Sequence, residues 1–203
     1  MEQKIYDVGQ RGEIIAPNAK ILFWVFLVQT LANFMSDAKM FTWMHTPGMI
    51  LGLLCAAAAV YALWRMAPAS DSFRSAATVS LILLVLNLVS GLLSPVLHSE
   101  ILVMILTVVT LLVSLYGTYH EFMGFSQVLA DVDQKKSSDW PSLWRAFLTI
   151  QICAALVLVF GLGIPVIGLI LGLVISISGL ILVIWRLILL YNTAGCFKPN
   201  PEV

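Results

Sequence analysis

Residues 146–185 read AFLTIQICAALVLVFGLGIPVIGLILGLVISISGLILVIW, forty positions without one charged side chain. A hydrocarbon core about 30 Å thick is crossed by roughly 20 helical residues, so this run is two spans long. Gly161, Gly163 and Pro165 lie near its midpoint, where a tight turn between two helices belongs. Working outward, the rest of the chain has the same character. Only 11% of its 203 residues are charged, against roughly 25% in soluble domains. The composition is that of a polytopic membrane protein.

Charge-free apolar windows predict six spans, at about 21–36, 46–64, 76–97, 101–119, 146–162 and 164–185. Open strands cannot satisfy their backbone polar groups in hydrocarbon, so an all-α bundle of six transmembrane helices is expected. Around the spans lie a polar N-terminal segment 1–20, an amphipathic connection 120–145 and a tail 191–203. The first span is the shortest. Lys20 can snorkel at one end, and the helix can continue through Asp37 toward Phe41 at the other, with a re-entrant segment as the rival. The long polar lead does not fit a secretory signal, so the first span is expected to be retained. Glu2 stands where N-myristoylation requires glycine.

Lysine and arginine sort sharply between the two sides. Lys4, Arg11, Lys20, Arg65, Arg74, Lys135, Lys136, Arg145, Arg186 and Lys198 fall on one face, and Lys39 alone on the other. Cytoplasmic loops carry the basic excess, so both termini are expected in the cytoplasm, with the protein multi-pass in the plasma membrane. Trp24, Trp64, Trp140, Trp144 and Trp185 fall near the same boundary, as an aromatic belt would.

Net charge is zero, which gives no ground for a nucleic-acid partner or a polybasic membrane arm. Cys55, Cys153 and Cys196 are scattered and odd in number, suggesting neither a disulfide framework nor a metal knuckle. No nucleophile elbow, phosphate loop or paired-histidine helix motif is present, so no catalytic, cofactor or metal residue is assigned. In size and span count the chain resembles the substrate-binding subunits of energy-coupling-factor vitamin transporters, without matching a motif of theirs.

Four constellations remain. Gln29, Asn33 and Asp37 follow one another at i+4, a polar stripe that belongs inside a bundle. Asn87, midway along the third span, is a natural partner for Asn33. As a function, these four would line an outward-facing solute or ion site; as structure, they would be interhelical glue. Gly48, Gly52 and Ala56, and again Gly168, Gly172 and Ser176, are small residues spaced by four. They allow close packing within the bundle, or against a second copy or a membrane partner. The two spans also share text around these positions, which reads as convergence rather than duplication. Asp37, His45, His98 and Glu100 could gather as zinc ligands, although nothing in their spacing enforces it. Tyr116, His120 and Glu121 cluster near headgroup depth, either as a proton or headgroup site or as aromatic belt. Deep charges, which pumps and proton relays use, are not expected in the last four spans.

Three functions follow in order. The first is an accessory or interaction subunit of a membrane assembly, not an enzyme. The second is a small-solute transporter or its membrane-embedded binding subunit. The third is a membrane enzyme acting on lipid through His120 and Glu121.

Overall fold

The computed structural model describes residues 8–37, 42–93, 100–160 and 165–197, and all of the regular structure there is helical. The helices are α1 (Val8–Asp37), α2 (Thr42–Met66), α3 (Asp71–Leu93), α4 (Glu100–Leu129), α5 (Gln134–Phe160) and α6 (Pro165–Cys196). All six are long and apolar enough to cross a membrane. Residues 161–164 of the expected turn lie outside the described residues. Pro165 opens α6, a position where its missing N–H leaves no helical bond unmade.

Each helix outruns its apolar window on the side of the termini. The segment read as a polar lead is helical from Val8, so α1 gains its length backward, while the expected continuation toward Phe41 lies outside the described residues. The connection 120–145 is two helix extensions with a short turn at 130–133. Asp133 caps α5, its Oδ1 accepting the Lys136 N–H at 3.1 Å. Lys135 to Asp139 are therefore part of the first turns of α5. Pro141 lies well inside α5.

Contacts run α1–α2–α3–α4–α5–α6 and back to α1, so the helices form a closed ring in chain order. The start of α1, the end of α6 and the α2–α3 and α4–α5 turns share one end, called basal below. The core is gathered there. Ile15 and Leu22 of α1 meet Leu63 and Met66 of α2, Phe73 of α3, Phe122 and Phe125 of α4, Trp140 of α5 and Leu190 of α6, all essentially buried. Trp140 is stacked on Phe125 at 4.5 Å, so it is a core residue rather than part of an interfacial belt. Toward the other end the surface is apolar and uncovered, with Phe34 at 76% and Leu169 at 74% exposure. That is the surface a bilayer would cover.

Two glycines seven residues apart set how closely α3 and α4 approach. A Cβ at Gly124 would lie 2.7 Å from the Phe73 ring, and one at Gly117 would lie 2.9 Å from Val79 Cγ1. The two helices are therefore zipped together through the basal half by missing side chains.

A candidate ligand cavity above a buried ion pair

Beyond Gly117 a cavity of about 540 Å³ opens between α3 and α4. Asn87 and Ser90 line it from α3, and Val103, Leu106, Thr107, Thr110, Leu111 and Ser114 from α4. Five of these eight can hydrogen-bond and none is charged. The hydroxyl protons of Thr107 and Ser114 are donated to their own helix, to the carbonyls of Val103 and Leu111 at 2.9 Å each. Their oxygens keep lone pairs to offer. The Asn87 amide makes no hydrogen bond to another described residue, leaving both donor and acceptor for whatever occupies the space.

Both walls belong to the inner side of the ring. Thr107, Ser114 and Glu121 are seven residues apart, within about 40° on a helix of 3.6 residues per turn. Glu121 points inward, because it meets Arg186 of α6, which is not a ring neighbour of α4. On α3, Asn87 and Ser90 repeat at fourteen residues the inward positions of Phe73 and Ala76.

Below the cavity stands an ion pair buried among the helices, just beyond the ends of the fourth and sixth apolar windows. Arg186 Nη2 reaches both Glu121 carboxylate oxygens at 2.6 Å. Glu121 is 5% exposed. The guanidinium carbon lies 3.5 Å from the Phe26 ring centroid on α1 and 5.4 Å from that of Phe122, a cation–π seat. Arg186 Nε is buried without a partner among the described residues. Glu121 lies two residues past the apolar window that ends at Tyr119, and Arg186 one past the window that ends at Trp185, positions that the sequence puts at the membrane boundary. The helices do not stop at that boundary, so the charges fall within the core.

The residues singled out earlier are dispersed. Gln29 Nε2 donates to Asn33 Oδ1 at 2.9 Å within α1, and Asn33 is exposed. Neither belongs to the cavity lining, and Asn33 does not bond Asn87. Asp37 ends α1, but its side chain lies outside the described residues. His120 and Glu121 do not converge: the carboxylate is taken by Arg186, while the imidazole packs against Tyr116 at 4.4 Å and Tyr119 at 5.2 Å. Burial lowers the surroundings' tolerance for charge there, and His120 Nδ1 has no partner among the described residues. His45 is exposed and His98 is outside the described residues. Among the described residues no three His, Cys, Asp or Glu side chains gather as metal ligands.

The small-residue edge of α2 is filled from within. A Cβ at Gly48 would lie 2.6 Å from Ser36 Oγ and 2.9 Å from the Ala32 carbonyl, and one at Gly52 would lie 3.2 Å from Gln29 Nε2. On α6 a Cβ at Gly172 would meet nothing within 4 Å, and the same holds at Gly179. Thr107, Thr110 and Ser114 were not singled out in the sequence. The signal was available in the seven-residue step from Thr107 through Ser114 to Glu121.

The chain matches no protein-family model, no curated protein and no solved structure.

Proposed function

We propose that this integral membrane protein binds a small, uncharged, hydrogen-bonding molecule in the cavity between α3 and α4, as a membrane-embedded solute-binding component. The observation that carries the reading is the lining itself: an unbonded amide and four hydroxyl side chains, interleaved with leucine and valine, without a charge. Ligand sites are commonly about 300–1,000 Å³, mostly apolar, with a few placed polar groups. With both termini in the cytoplasm, as the lysine and arginine distribution favours, the cavity lies in the half of the protein toward the outside. An accessory role through helix contacts has less support. The α2 edge is occupied by α1, and Gly172 is on the same helical face as the inward Arg186.

The test is a thermal-shift screen of purified protein with uncharged polyols, nucleosides and amides, beside carboxylate congeners of each. A ligand at a hundredfold its Kd stabilises by about 2.7 kcal/mol. Asn87→Leu should weaken a hit by about tenfold or more, the worth of one buried hydrogen-bonding group. Stabilisation that survives Asn87→Leu combined with Thr107→Val, or that is strongest for the charged congeners, refutes the assignment.

A further inference from the structure

We infer that the ring is a gated passage, with the α3/α4 cavity in its wide half and the Glu121–Arg186 pair as the latch across the apolar core that fills its narrow half. What moves through it rests on the binding reading above; that it opens does not.

The first observation is where the ion pairs run. In a ring built in chain order, α1 and α4 are opposite one another, and α4 and α6 are not neighbours. Glu121–Arg186 joins α4 to α6, and Arg11–Asp131, at 3.0 Å, joins α1 to the turn after α4. Contacts between non-neighbours cross the middle of the ring. Two such crossings lie at successive levels of the basal half.

The second observation is the register of the walls. From the open end downward α4 presents Thr107, then Ser114, then Glu121. On α6 the corresponding steps are Gly172, then Gly179, then Arg186. Each step is seven residues, about 10 Å of rise on nearly one face. At the two upper levels α6 offers glycines with open space beside them. At the third level a salt bridge spans the gap.

The third observation is how the pair is made. A single Nη serves both carboxylate oxygens, while Nε is buried and unbonded among the described residues. The side-on fork of arginine would use two parallel N–H groups and hold more firmly. Phe26 supplies a second seat for the cation, so the guanidinium keeps a partner when the carboxylate departs. A buried pair contributes little net stability compared with apolar packing of the same volume. An end-on pair with a fallback seat suits a contact that is broken and remade.

The test is sided cysteine labelling of the full chain in liposomes. Cys55, Cys153 and Cys196 are first replaced by serine or alanine, Ser114→Cys is introduced, and a membrane-impermeant cationic methanethiosulfonate is added to one face at a time. Labelling is expected from the face opposite the termini, and about tenfold or more slower from the termini face. Adding Glu121→Gln should raise the termini-face rate by about tenfold or more. If that variant does not fold, Glu121→Gln with Arg186→Gln, which leaves no lone charge, carries the same test. An unchanged termini-face rate in a folded variant, with labelling from the opposite face intact, overturns the gate and leaves the cavity standing. Labelling from neither face in any background overturns both.

Discussion

Gly124→Ala and Gly172→Ala are the same chemical change in two helices, and the packing gives them opposite signs. At Gly124 the new methyl would sit 2.7 Å from Phe73 Cδ1 and Cε1, well inside the ordinary contact range that starts at 3.4 Å. The ring has nowhere to retreat. Phe73 is fully buried and stands edge-on to Phe125 at 4.9 Å, and Phe125 is stacked on Trp140. Either three aromatic rings shift together or α3 and α4 part. Overpacking of this kind costs about 1–3 kcal/mol, reduced by the roughly 0.5–1 kcal/mol that alanine gains over glycine in a helix. At Gly172 nothing lies within 4 Å, so only the second contribution applies. In a chain of this size 1 kcal/mol moves Tm by about 2–4 °C. Thermal unfolding in one detergent should therefore show Gly124→Ala falling by several degrees and Gly172→Ala holding or rising by one to a few. Phe73→Leu should relieve the Gly124→Ala penalty, a coupling readable in a double-mutant cycle. If Gly124→Ala is neutral, or Phe73→Leu adds its own cost with no coupling, the glycine zipper between α3 and α4 is wrong.

Glu121→Gln alone should cost toward the lower end of the about 3–5 kcal/mol seen when one member of a buried pair is removed, because Arg186 keeps 23% exposure and its seat on Phe26. Glu121→Leu with Arg186→Met should return most of that stability, and unfolding midpoints of the three proteins decide it. At the α4–α5 turn, the Lys136 backbone N–H holds the Asp133 carboxyl below the usual carboxylate range, with the Lys136 ammonium adding to the effect. A depressed folded-state pKa means stability that is complete above the unfolded value, about 3.9, and is lost as pH falls through the folded one. Asp133→Asn keeps a capping side chain but not the charge, so it should flatten the fall in Tm between neutral and strongly acid buffer. An acid limb as steep as that of the unmodified protein would show that other carboxylates set it.

The helices were legible because charge-free length is a strong signal in lipid and needs no knowledge of neighbours. The site was not, for two reasons. Serine and threonine in an apolar helix read as neutral, since their hydroxyls can bond their own backbone, as Thr107 and Ser114 do. Only their alignment with Glu121 separates them from filler, and that alignment acquires meaning once Glu121 is known to face inward. Gln29 and Asn33 stood out as the strongest polar stripe, yet they satisfy one another along a single helix face. A conspicuous pair can be self-sufficient, whereas Asn87, the one amide on its span, has no hydrogen-bond partner among the described residues and lines the cavity.

The same logic explains why the wide and narrow halves of the ring fall where they do. In water, apolar area drives helices together along their whole length; in lipid it does not, and close approach must come from shape and from polar bonds. The basal half has both, with Gly117 against Val79, Gly124 against Phe73, and the crossing pairs Glu121–Arg186 and Arg11–Asp131. Toward the far end α6 has glycines that no partner helix reaches among the described residues, and α4 has hydroxyls already bonded to its own backbone. Nothing there draws opposite walls together, so the space between them is left for a ligand or water. Closing the far half would require something to hydrogen-bond Asn87 and the α4 hydroxyls from across the ring, which a bound solute can do. On that account occupancy and wall separation are coupled. A ligand that bridges α3 and α4 should tighten the half that is open now, and in doing so load the single Nη contact that closes the other.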